Sequence, residues 1–162
     1  MDSKAKVVMA PQRPNLDSKS TSIFLAGTTT NTGEPDWRET LISALSNCAV
    51  TILNPARPDW DATWKEDFSD GRWEEQVLWE LDMQDAADII VFMFHRSTAA
   101  PISLMELGLA VKTKRVIVCA QDEYCKRGNV EAVCRKFGAK LVSTENALRD
   151  ALLVMLDERC IT

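Results

Sequence analysis

Five short runs of uninterrupted apolar residues, separated by amphipathic stretches, constrain this chain more than any other feature. SIFLAG (22–27), AVTILNP (49–55), DIIVFMF (88–94), RVIVCA (115–120) and KLVS (140–143) have the length and the β-branched and aromatic content of strands. They do not alternate between apolar and polar, so each is expected to be covered on both faces, as in a parallel sheet. Between them, helical periodicity runs over about 36–47, 74–87, 103–113, 129–138 and 145–158, the second stretch carrying Val77, Leu78 and Leu81 at helical spacing. This βαβα rhythm predicts a doubly wound α/β domain: a flavodoxin-like, five-stranded parallel sheet with helices on both faces. In such sheets ligands bind beyond the carboxyl ends of the strands, where strand order reverses. The segments to search are therefore Gly27 to Trp37, Asn54 to Trp73 and His95 to Glu106.

A chain of 162 residues is the size of one domain and buries roughly two thirds of the surface its unfolded form exposes. Residues 1–20 mix Pro, Ser, Lys and Asp without a sustained period, so a flexible tail is expected there and the folded domain over 21–162. The net charge of -5 and the lack of a basic run argue against nucleic acid as a partner. No apolar run approaches the ~20 residues of a spanning helix, and the N-terminal residues lack the apolar core of a secretory signal. A cytoplasmic protein without membrane contact is expected. The five cysteines form no CxxC pair and suit reduced thiols. With His95 as the single histidine, and neither a GxGxxG nor a P-loop pattern, no metal and no cofactor are expected.

The most informative acid lies in AAPISLMELGLA (99–110). Ser103 and Glu106 match a capping box, in which the serine caps the helix start and the glutamate returns to the serine N–H. A box glutamate normally faces water, whereas Leu104, Met105, Leu107 and Leu109 make this helix apolar nearly all round. The alternative is functional. A carboxylate in the first helical turn is favoured in its ionised form by the helix dipole, and an ionised, partly desolvated carboxylate suits attack on an acetal-like carbon. Upstream, WELDMQDAAD (79–88) presents Asp82, Asp85 and Asp88 at a spacing of three, just before the third strand.

Other candidates follow the strands. Gly27 and Thr28 open a loop offering hydroxyls and backbone N–H groups to a sugar or phosphate, and Asp36 and Trp37 lie where the next helix begins. Asn54 ends the second strand, where its amide can reach the crevice, although Asn-Pro is also a plain turn signal. Trp37, Trp60, Trp64 and Trp73 are candidates for stacking on a base. His95 reads as a residue bound to backbone and stays outside the catalytic set.

IFLAGTT (23–29), WELDMQDAADIIVF (79–92), SLMELGLA (103–110) and RGNVEAV (127–133) together resemble the nucleoside 2-deoxyribosyltransferases and their N-glycosidase relatives, over roughly residues 21–135. The resemblance implies that Glu106 attacks C1' of a nucleoside or nucleotide and expels the base, leaving a glycosyl enzyme for a second base or water. It implies that Asp82 binds and protonates the departing base, and that Asn129 reaches a neighbouring subunit's site, which requires a homo-oligomer; Asn129 also reads as a helix N-cap. Two positions depart from the pattern. Phe24 stands where many members carry a nucleophile-orienting Tyr, and Ala100 where many carry an Asp or Ser for the sugar or its phosphate. Ser97, Thr98 or Ser103 are the candidate substitutes. The expected partners are a small nucleoside or nucleotide and a nucleobase, and the alternative is a non-catalytic nucleoside-derivative binding module on the same fold.

Overall fold

The computed structural model describes residues 4–16 and 20–159. Their strands are β1 (Lys6–Met9), β2 (Thr21–Gly27), β3 (Val50–Asn54), β4 (Ile89–Phe94), β5 (Arg115–Ala120) and β6 (Lys140–Val142). The helices are α1 (Trp37–Ala44), α2 (Gly71–Ala86), α3 (Pro101–Ala110), α4 (Arg127–Phe137) and α5 (Glu145–Arg159). All paired strands are parallel, in the order β1-β3-β2-β4-β5-β6. The five expected strands take the flavodoxin-like order, with the chain reversing its direction of travel between β2 and β4. No described helix is long and apolar enough to cross a membrane.

The sheet has six strands rather than five, because Lys6–Met9 lies parallel to β3 at the edge. The expected tail over residues 1–20 therefore does not hold for this segment. Val8 and Ala10 are buried, and the Trp79 indole donates 2.8 Å to the carbonyl of Gln12. A four-residue edge strand amid Pro and charged residues carries too short an apolar run to register as a period. Of the expected tail, residues 1–3 and 17–19 lie outside the described residues.

Alternating strand residues separate two cores, as a period of two demands. Ile23, Leu25, Val91 and Met93 pack under α1 and α5; Phe24, Ala26, Phe92 and Phe94 pack under α2, α3 and α4. β4 closes tightly on β2 at Gly27, which has φ 122°. A Cβ there would lie 2.2 Å from the Met93 carbonyl oxygen. At the reversal point the Thr28 and Thr98 hydroxyls are 2.9 Å apart, and Thr28 Oγ1 accepts from the His95 N–H at 3.1 Å. Thr28, an expected ligand residue, is thus part of the seam that holds the carboxyl ends of β2 and β4 together.

Gly27→Ala forces backbone against backbone and is expected to remove about 3 kcal/mol or more of stability in urea denaturation. Gly33→Ala, at φ 78° with open space around it, is the matched control and should cost about 1 kcal/mol.

Candidate active site

The helix that follows β2 delivers a buried cation. Asp36 caps α1 by accepting from the Arg38 N–H at 2.9 Å, and the Arg38 side chain then turns inward. Its Nη1 donates to the Thr28 carbonyl at 2.9 Å, Nη2 to Gly27 at 3.2 Å and Nε to Leu25 at 3.4 Å. The Trp37 indole also donates to Thr28 O at 2.9 Å. Burial pulls the guanidinium down to about 10, against the attraction of Asp36, Glu80 and Glu106, so it remains charged at neutral pH.

Glu106 is 6% exposed on the inner face of α3 and accepts a 2.7 Å hydrogen bond from Gln84 Nε2. The capping box does not form. The helix starts at Pro101 behind Ala100, which sits in the left-handed region (φ 43°, ψ 53°) and offers no side-chain cap. Ser103 is consequently inside the helix and buried, and Glu106 lies beyond the first turn. The expectation that the dipole holds it ionised fails for the same reason. Burial raises its pKa to about 7, with a further push from Glu80, against the Gln84 hydrogen bond and the pull of Arg38.

The second acid comes from α2. Gln76, Glu80 and Gln84 follow one another at intervals of four and so share a stripe of the helix. Gln76 Nε2 donates to the Pro55 carbonyl at 2.8 Å and to Glu80 Oε1 at 2.7 Å, and burial raises the Glu80 pKa. Asp82, two residues from Glu80, is turned about 200° around the helix. Its side chain is 55% exposed and pairs with Arg13 at 2.8 Å, so it stands outside the buried cluster. The inward carboxyl of α2 is Glu80. Sequence reasoning passed over Arg38, Gln76, Glu80 and Gln84; the four-residue spacing of polar groups in α2 was the available signal.

The other expected residues are dispersed. Phe24 is a core residue with its ring 6.1 Å from that of Trp79. Asn54 is buried, and its Oδ1 accepts from the Ala56 N–H at 3.1 Å. Asn129 is exposed in the first turn of α4, whose N-cap is Lys126. Ser97 is bonded to His95 Nδ1 at 2.7 Å and Thr98 to Thr28, leaving Ser103, one turn before Glu106 on α3, beside the buried acid. The faces of Trp64 are taken by Arg57 and Arg72, at 4.8 and 5.3 Å from the ring. A crevice of about 350 Å³ opens over the ends of β2 and β4, between Thr28, Thr30, Glu34, Trp37, His95 and Glu145. Arg38 borders it and Glu106 does not. In it, Glu34 Oε2 lies 3.1 Å from His95 Nε2.

The profile of the family described as nucleoside 2-deoxyribosyltransferase like matches residues 20–124, well over half of the chain. The chain belongs to that family. The matched span holds all of Arg38, Gln76, Glu80, Gln84 and Glu106, whereas Asn129 lies beyond it. Among solved structures, a conserved protein from Enterococcus faecalis V583 has a TM-score of 0.59 at 15% identity, over 86% of this chain and 99% of its own; at that identity the likeness is one of fold. No curated protein sequence matches the chain.

In this member of the nucleoside 2-deoxyribosyltransferase-like family, the buried acid has a thermodynamic signature. Between the unfolded value of 4.5 and the folded value of about 7, the folded chain holds a proton that the unfolded chain releases. Stability therefore falls as pH rises through that window, by an amount of order 3 kcal/mol once Glu106 is fully ionised. Glu106→Gln keeps an acceptor for Gln84 and carries no charge. It is expected to be more stable than the parent at pH 8 in urea denaturation, with the difference shrinking towards pH 4.5.

Proposed function

We propose that the chain cleaves the N-glycosidic bond of a nucleoside or deoxynucleoside, with retention, through a glycosyl ester on Glu106. The observation that carries this reading is a buried carboxyl, Glu106, bonded by Gln84 of α2, with the half-buried Glu80 one turn before Gln84 on the same helix and both acids within the electrostatic reach of the buried Arg38 guanidinium. Such a pair favours one shared proton, leaving one member a carboxylate and the other an acid. The ionised Glu106 attacks the anomeric carbon, forming a carbon–oxygen bond as the bond to the base nitrogen breaks. The departing nitrogen takes the bonding electrons and the proton of Glu80. Water or a second base then attacks the same carbon from the opposite face, returns a proton to Glu80 and frees Glu106.

Glu80 takes the role that the resemblance assigned to Asp82. Gln84 takes the orienting role that a tyrosine hydroxyl at position 24 would have, since Phe24 has none. Arg38 is a positioning residue whose charge stabilises the single carboxylate of the pair. Ser103 is the nearest hydroxyl for the sugar. A binding module without turnover is the second reading, favoured by the crevice near His95 that Glu106 does not line.

A homo-oligomer belongs to the same proposal. Ile102, Met105 and Leu109 expose their side chains along α3, as Leu78 and Leu81 do along α2, and contiguous exposed apolar stripes are a feature of interfaces. Light scattering should report more than one subunit, and Met105→Glu with Leu109→Glu should reduce that number.

Incubation with deoxyadenosine or deoxyinosine and a free acceptor base, with both bases followed by chromatography, tests the chemistry. Base release is expected, lost in Glu106→Ala and lowered about 10²- to 10⁴-fold in Glu80→Gln. The rate should climb with pH towards about 7 as Glu106 ionises and decline once the pair loses its last proton. Saturable binding without base release, unchanged in Glu106→Gln, would establish the module instead.

A further inference from the structure

Two buried polar atoms near the start of the α2 stripe have no hydrogen-bond partner among the described residues: Asn54 Nδ2 and Gln76 Oε1. Their residues are 1% and 5% exposed. Both amide orientations follow from the surrounding bonds. Asn54 accepts from the Ala56 N–H, which identifies Oδ1 and leaves the NH₂ as the unused group. Gln76 donates twice, to Pro55 O and to Glu80 Oε1, which identifies Nε2 and leaves the carbonyl oxygen unused. An unmet donor and an unmet acceptor thus flank Pro55, the residue after Asn54 and the partner of Gln76. Leaving such groups dry and unpaired is unfavourable, so each requires an explanation in a folded protein.

We infer that Asn54 and Gln76 recognise the edge of the nucleobase, selecting bases that present an acceptor next to a donor, as adenine does. This rests on the proposed glycosidic chemistry for its purpose, and on the unpaired amides for its geometry. Asn54 donates to the ring nitrogen of the base, and Gln76 accepts from its exocyclic amino group. Along α2, Gln76 lies about 6 Å of helix rise before Glu80, and Gln84, which holds Glu106, about 6 Å after it. The stripe therefore runs from base edge through the proton donor to the residue that fixes the nucleophile, the sequence of groups met along a nucleoside from its base to C1'. The two amides lie where β3 passes into the connection of residues 55–70, exposed from Pro58 to Thr63, and a base enters past that connection.

Calorimetric titration of the unmodified protein with adenine and with purine, which lacks the exocyclic amino group, tests the Gln76 contact without any mutation. Adenine should bind at least about tenfold more tightly. Asn54→Leu and Gln76→Met are each expected to weaken adenine by about tenfold or more, with Gln76→Met also erasing the preference over purine. Asn54→Leu removes an unpaired buried donor together with the acceptor of the Ala56 N–H, so each variant is checked for a cooperative urea transition, and the adenine–purine comparison on the unmodified protein separates lost recognition from lost folding. Equal affinities for adenine and purine, no saturable adenine binding, or variants that bind as the parent does would overturn the inference and assign the pair to buried water. Base release that depends on Glu106 but shows no such selectivity sinks this inference alone. Amide-dependent adenine binding without base release leaves it standing and sinks the glycosidic reading.

Discussion

The guanidinium of Arg38 is the interaction on which the rest of this site depends. Glu106 is buried and Glu80 half-buried between helices and sheet, where an isolated charge is disfavoured. A positive charge at the carboxyl end of β2 makes one ionised member tolerable, and Arg38 occupies that place because three main-chain carbonyls, of Leu25, Gly27 and Thr28, accept its protons. Those carbonyls belong to residues around Gly27, where β2 leaves the sheet. The close approach of β2 to β4 at Gly27, the seam through Thr28 and the charge of Arg38 are therefore one construction. It joins the fold's reversal point to the acids of the opposite layer.

The strands and the alternation of layers were legible because burial on both faces leaves an unbroken apolar run, a signal that needs no knowledge of neighbours. β1 was not, since an edge strand of four residues draws its stability from pairing with β3 and from the contacts of Val8 and Ala10. The burial of Glu106 was legible from its apolar surroundings, but its protonation was not. Position within the helix decides how far the dipole helps, and the chain starts α3 at Pro101, with Ala100 in a left-handed conformation that residue preferences do not announce. Asp82 faces outward for a geometric reason. A run of aspartates at a spacing of three stands out in the sequence, yet the phase of α2 is set by Trp79 and Met83, which anchor it to the sheet.

That phase reveals what the sequence pattern concealed about α2. Val77, Leu78 and Leu81 mark a helical period, and the ordinary inference is that such leucines face the core. Here Leu78 and Leu81 face outward while Gln76 and Gln84 are buried. Polar groups turned inward and leucines turned outward are costly on both sides for an isolated subunit. On the proposed function, a substrate occupies the space among the amides and acids and another surface covers the leucines.

α3 repeats the arrangement, with Glu106 and Ser103 inside and Ile102, Met105 and Leu109 outside. The same two helices thus carry the site on one face and a bare apolar stripe on the other. The 2.7 Å bond from Gln84 to Glu106 spans them, so its length follows their separation. Any surface that covers both stripes at once presses on that separation, because packed helices respond as rigid bodies rather than by local yielding. In the proposed oligomer, association and catalytic geometry meet at this one hydrogen bond. On that proposal Gln84, which carries neither charge nor nucleophile, is the residue at the junction of the two.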